Sequence, residues 1–420
     1  MKKIIIILIV FQLFSLRAFA ATTAFVQGVS MITTTRSTTS TTYTVTEDRK
    51  PIWHYDAAAF SNVSAVYIEL NGRVDATATG SVGLHNNAGT LVTGAEATAT
   101  QVGALNSRTR SGDILANLVD GTDYYIKYKT TASTFRVDSV KIIIVQSGAI
   151  TATETSIEMG ERLNATATYA NPTSYAEFVY TAAEYDGTVT ILFEATLKPS
   201  NSARTVYAQL YDVTGAAAVT GSEVTHTGNT TTTRKRSGAI TLTDGRTYRV
   251  QVKGDSGTAE DITATRLIIQ QTGTPTKTAV YFPVLNTNTS GTGTTFTNQD
   301  REMLFDASSW IGSVKDFYYE ATLKVSVGAE TGSYQFYNET DAAQVGVVTS
   351  TATAFSRVRS SVLTMPTDDS NDIDGGRKVS VGAETINVSR SFLVALITYA
   401  VDVAAGGGAD DGIIWFETED

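Results

Sequence analysis

The chain has no cysteine, three histidines, three tryptophans and six prolines in 420 residues. Without cysteine no disulfide can form, so stability must come from packing and hydrogen bonds. His54, His85 and His226 are far apart and do not recur, which gives no basis for a histidine-centred metal or acid–base site. Gly-x-Ser-x-Gly, His-Glu-x-x-His and Walker loops are all missing. An enzyme is therefore not expected. Only 18% of residues are charged and the formal net charge is −10, so no basic face for nucleic acid is expected.

Long apolar runs are scarce too. Lys2 and Lys3 precede the apolar stretch Ile4 to Leu16, and Ala18-Phe19-Ala20 follows. That order predicts a secretory signal peptide at 1–20 and a secreted or cell-surface protein. No membrane span is expected after its removal, because the run Phe392 to Thr398 is too short. Loss of Lys2, Lys3 and Arg17 lowers the net charge by three, to −13. No cysteine is present to form a lipid anchor.

What the chain does contain, it contains three times. Glu69, Glu194 and Glu320 close the apolar runs Val-Tyr-Ile, Ile-Leu-Phe and Phe-Tyr-Tyr, at separations of 125 and 126 residues. Roughly forty residues later come Arg108-Thr109-Arg110-Ser111, Arg234-Lys235-Arg236-Ser237 and Arg357-Val358-Arg359-Ser360. Asp120-Gly121, Asp244-Gly245 and Asp374-Gly375 follow. A period this long predicts a duplicated domain. The spacing places repeats at 22–147, 148–272 and a divergent one at 273–420, where the Tyr after Asp-Gly is lost.

Helical periodicity is nearly absent. Tyr124, Ile126 and Tyr128 alternate with Tyr125, Lys127 and Lys129, and Tyr248, Val250 and Val252 with Arg249, Gln251 and Lys253. Side chains alternate across a strand, so the first member of each pair of sets faces the core. Asp-Gly before each strand signals a turn. The closing segments Val140 to Gln146 and Thr265 to Gln271 are apolar on both faces, as in central or doubly covered strands. Trp53 aligns by spacing with Phe178 and Leu304. Thr33 to Thr46 reads as part strand and part linker, and Asn286 to Asn298 as a second linker. The expected fold is all-β: three tandem antiparallel β-sandwiches.

Two segments carry a resemblance. Leu118-Val119-Asp120-Gly121-Thr122-Asp123-Tyr124, with its partner Leu242 to Tyr248, resembles a turn and strand common in β-sandwich modules, fibronectin type III-like ones included. Val137-Asp138-Ser139-Val140-Lys141-Ile142 is similar to the final strand of jelly-roll, galactose-binding-like modules, which include carbohydrate-binding modules. The resemblance implies jelly-roll-like repeats of a secreted bacterial surface protein. It transfers no binding residue.

Three constellations stand out. The basic residues at i, i+2 share one face of a strand and either grip acidic glycans or pair internally with the repeated glutamates. The favoured pairs are Glu69 with Arg110, Glu194 with Arg236 and Glu320 with Arg359. Tyr125, Tyr211 and Tyr337 are candidates for stacking on sugars. Asp369, Asp372 and Asp374 lie in an acidic loop that suggests calcium, although Val381 stands where an EF-hand needs Glu. The expected function is a structural or adhesive surface protein, with a glycan, another surface protein or its own copies as partners. The alternative is an array of carbohydrate-binding modules.

Overall fold

A computed structural model describes residues 24–399 apart from 33–34, 47–48, 104–105, 163, 229, 256–259, 286–287, 300–302 and 311–313. The expected signal segment 1–20 lies outside the described residues. Apart from short 3-10 turns, every regular element described is a β-strand, and the strands form antiparallel sheets.

Six sheets pair into three two-sheet units. In the first, one sheet runs Ala24–Ile32, Phe135–Ser147, Val63–Val74, Ser107–Arg110. Its companion runs Trp53–Tyr55, Thr122–Thr130, Gly80–Asn86, Leu91–Ala99. Counted along the unit these orders are 1-8-3-6 and 2-7-4-5, the jelly-roll arrangement. The second unit repeats the first sheet with Ala152–Arg162, Asp261–Thr272, Thr188–Lys198 and Thr233–Arg236. The third repeats it with Lys277–Leu285, Ile386–Thr398, Val314–Val325 and Ser356–Arg359. We call these the inner sheets and their companions the outer sheets.

Each unit has its own core, built from the alternating positions. In the first, Val66, Ile68 and Leu70 of the inner sheet meet Val82, Leu84 and Ile126 of the outer sheet. The second uses Phe193, Leu197, Val206 and Val250 in the same way. Burying such side chains contributes about 1.5–3 kcal/mol each, which lets a disulfide-free unit stand.

Two details of repeat three differ from expectation. Trp53 lies opposite Tyr124, Phe178 opposite Tyr248, and Met303 opposite Ile373. Met303, not Leu304, is therefore the counterpart of Trp53. Asp374-Gly375 is not a turn but lies inside the strand Asn371–Val379. A Cβ on Gly375 would come within 2.0 Å of the Tyr334 hydroxyl, so close approach is what requires the glycine. The turn is Asp369-Ser370: Ser370 has φ 67, against φ 70 and 72 at Gly121 and Gly245. Asp120, Asp244 and Asp369 each accept a backbone N–H from the next 3-10 turn, at Ala57, Ala182 and Ser308. The segment 286–298, read as a linker, carries strands Thr289–Gly291 and Thr297–Asn298.

The inner sheets are covered on both faces because the units pack on one another. The three first strands touch each other pairwise. Gln27 Nε2 donates to Thr153 Oγ1 at 2.6 Å, and Thr155 Oγ1 to the Ala279 carbonyl at 3.1 Å. Each first strand also meets a 3-10 turn of a neighbour: first unit with third, second with first, third with second. That cyclic order makes a head-to-tail ring of three with approximate threefold symmetry. It closes where Phe25 and Tyr399 meet, with ring centroids 5.7 Å apart.

Candidate functional site

The recurring charges sit on the face of each inner sheet that is turned away from its own outer sheet, at the seams between units. Glu69, Glu194 and Glu320 lie directly opposite Arg110, Arg236 and Arg359. Arg110 Nε donates to Glu69 Oε2 at 2.9 Å and Arg236 Nε to Glu194 Oε2 at 3.0 Å; Arg359 Nε donates to Glu320. Arg234 and Arg357 add bonds to the same glutamates, each at 2.6 Å. Burial alone would raise the Glu194 carboxyl, but Arg234, Arg236 and Arg266 outweigh it and hold it below the ordinary range.

The same arginines reach across the seams. Arg108 Nε donates to Asp372 at 2.6 Å and Arg110 Nη1 to Asp306 at 3.4 Å, joining the first unit to the third. Arg234 approaches Asp123 at 3.8 Å, joining second to first. Arg359 Nη1 donates to Glu184 at 2.8 Å, joining third to second. Asp123 and Asp372 occupy the same register position in their outer sheets. The first and second units thus share one latch, Arg108 with Asp372 and Arg234 with Asp123, while the third seam uses the other arginine of its pair and an acceptor at a different position, Glu184. Two of the latch's three parts were legible as motifs; the acidic acceptors were not, since a carboxylate on a neighbouring unit carries no spacing signal.

Charge is also buried nearer the centre. Arg266 Nη2 donates to the Ser30 carbonyl at 2.9 Å and Nη1 to the Ile52 carbonyl at 2.7 Å, both in the first unit. Its Nε stands 3.8 Å from Glu158 Oε2. Burial pushes the Glu158 carboxyl up to about 7, against the pull of Arg266 and Arg390 and with the push of Glu161. Arg36 of the first unit pairs with Glu161 at 3.7 Å.

The tyrosine candidates do not form one platform. Tyr125 is 5% exposed and lies under Lys50, whose Nζ is 4.2 Å from the ring centre. Tyr211 is half-buried beside Arg249, 5.6 Å from its ring. Tyr337 is half-buried opposite Asp374. By register Tyr211 and Tyr337 correspond to His85, while Tyr125 corresponds to Arg249 and Asp374. What does recur on the outer sheets is a lysine over an aromatic ring: Lys129 over Tyr43, Lys253 over Tyr169 and Lys378 over Phe296, at 4.3, 4.8 and 4.4 Å. These pairs clamp the incoming segment of each unit onto its outer sheet. Tyr43 and Tyr169 also donate to Glu96 and Glu223; in the third unit both partners are gone, leaving Phe296 and Val347.

The acidic loop is committed elsewhere. Asp369 accepts from Ser308, Asp372 from Arg108, and Asp374 from the Gln299 and Gly375 backbone. Among the described residues, no group of three or more His, Asp or Glu side chains is placed to hold a metal ion. No described helix is long and apolar enough to cross a membrane.

No family model and no curated protein matches the chain. Among solved structures it is similar to Sulfolobus Turreted Icosahedral Virus, at 10% identity and TM-score 0.20 over 84% of this chain and 83% of that one. It is similar to dimeric latent PorU from Porphyromonas gingivalis at 9% identity and TM-score 0.20, over 80% of this chain and 32% of that one. The infectious bursal disease virus Gx strain gives 10% identity and TM-score 0.13, over 90% and 80%. At TM-scores this low none of the three bears on what this chain does.

Proposed function

We propose that the chain is an exported, non-catalytic structural protein of a cell or particle surface, whose three jelly rolls act as one rigid block. The observation that supports this is the use of the recurring arginines. Each pair holds its own unit's glutamate, and in every unit at least one of the pair also reaches a neighbour's carboxylate. Charges in such a place hold the units to one another. A string of adhesive modules on flexible linkers would leave them in water. Adhesive contacts, with a surface partner or with further copies, then belong to the outer sheets and loops. The order of basic, apolar and small residues over 1–20 supports export.

Small-angle scattering of residues 21–420 tests the block. A compact body of this length has a radius of gyration of about 21 Å. Three beads on linkers would exceed about 30 Å, because each unit would then add its separation from the others. A value in that higher range would refute the block. Fractionation of the source cells tests export: recovery of uncleaved chain in the cytoplasm alone would refute it.

A further inference from the structure

Each unit has a cleft at the same end, between the hairpin that leaves the third strand of its outer sheet and the loop before the Asp turn. In the first unit it is lined by Asn86, Val92, Asn117 and Thr122 among others, with a volume of about 380 Å³. In the second, Asp212, Val219, Thr241 and Thr243 line about 460 Å³. In the third, Asn338, Val345, Gln344 and Thr364 line about 360 Å³. Asn86, Asp212 and Asn338 are register equivalents, and so are Val92, Val219 and Val345.

We propose that these clefts are three equivalent sites for a neutral hexopyranose unit, displayed at one level around the ring axis. The volumes lie in the range of small-ligand sites, roughly 300–1,000 Å³. Every cleft joins an aliphatic wall to a polar one: hydroxyls and amides, which both donate and accept, in the first and third, and threonine hydroxyls beside the Asp212–Arg246 pair in the second. A pyranose has the matching faces: C–H groups on one side, hydroxyls around the rim. Charge argues against an anionic sugar. The first cleft has no ionised side chain in its lining. In the second, Asp212 is neutralised by Arg246 at 2.7 Å. In the third, Asp341 adds a negative charge, partly satisfied by Asn338 Nδ2 at 2.8 Å.

The clefts are also held open by fixed turns. Asn86 Oδ1 accepts from Thr90 N at 3.0 Å, and Asp212 Oδ1 from Gly215 N at 2.6 Å. Asn338 Oδ1 accepts from Thr340 N at 3.0 Å. Points related by a threefold axis lie at the same height along it, so a flexible polymer bearing many copies of the sugar can reach more than one of them. A Kd of about 1 mM at a single site corresponds to only about 4 kcal/mol. Linked binding then raises apparent affinity by about 10²-fold or more.

The test uses residues 21–420 with glucose, galactose, mannose and N-acetylglucosamine in saturation-transfer NMR. The same sugars on a polyacrylamide backbone are used in calorimetry. Val119→Trp, Ala217→Trp and Gln344→Trp fill the three clefts from positions that are exposed, so the core is untouched. The expected result is transfer to at least one sugar, reduced in each single variant and lost in the triple variant. Polymer affinity should fall by about tenfold or more when the first cleft is filled. Absence of transfer for all four sugars would overturn the proposal, as would transfer unchanged in the triple variant. Scattering on the triple variant reports whether the block persists, so failure here is distinguishable from failure of the structural reading.

Discussion

Glu158 should make the block less stable as pH rises through neutrality. Its carboxyl lies on the first strand of the second unit and is fully buried, with Arg266 Nε 3.8 Å from Oε2. It faces Arg266 on the adjacent strand, Arg390 from the third unit and Glu161 on its own strand, which in turn pairs with Arg36 of the first unit. Burial raises its pKa from 4.5 to about 7 in the fold. Folding then favours the protonated acid. The contribution is fully present below pH 4.5, falls between there and 7, and is gone above it. A shift of that size corresponds to about 3 kcal/mol. Glu158→Gln removes the titration but keeps the shape. Urea midpoints of wild type and variant, measured from pH 5 to pH 8, give the difference directly. Other groups titrate alike in both proteins and cancel. Part of that is already lost at pH 5, so we expect the variant to gain about 2.5 kcal/mol on wild type across that range. A difference that stays constant with pH would refute the reasoning, whatever its absolute value.

Further outcomes follow from single contacts. Glu194→Gln leaves Arg234, Arg236 and Arg266 without their shared carboxylate; a loss of about 3–5 kcal/mol in denaturant midpoint is expected. Tyr124→Phe and Tyr248→Phe remove the hydroxyls that accept Val119 N–H and Thr243 N–H at 2.8 and 2.7 Å, costing about 1–3 kcal/mol each by the same assay. Ser370→Gly should raise stability by about 1 kcal/mol, because φ 67 suits glycine. Ala216→Gly and Ala342→Gly, both at φ 52, should do likewise, and unchanged thermal midpoints would count against strain there.

The alternation along the chain made the all-β class legible, because it is a local property. The third unit was misread where one residue type can serve two purposes. Asp374-Gly375 has the composition of a turn, yet the glycine is there for Tyr334, a neighbour not visible in sequence. Apolar residues on both faces of the last strands indicated double cover, but not that other units supply it. The ring, the seam acceptors Asp306, Asp123 and Glu184, and the charge beside Glu158 depend on which unit follows which. No spacing within a repeat records that. The sequence also holds a shorter repeat inside the third unit: Lys324-Val-Ser-Val-Gly-Ala-Glu-Thr331 recurs as Lys378 to Thr385. Those twin loops bond reciprocally, Ser326 to Glu384 at 2.6 Å and Ser380 to Glu330 at 2.5 Å, and mark the two halves of one jelly roll.

Closure of the ring gives the chain an arbitrary starting point. Phe25 and Tyr399 touch, so the two ends of the described body leave from one place. The joins between units are short turns of one design: Ser61 Oγ receives Thr151 N and Ala152 N, and Asp186 Oδ1 receives Thr276 N and Lys277 N. A circular permutant opened at either join and sealed between the old ends would keep every seam. The first unit, however, cannot complete its contact with Asp306 and Asp372 until the third has emerged. During synthesis it must wait for a partner some two hundred residues behind it.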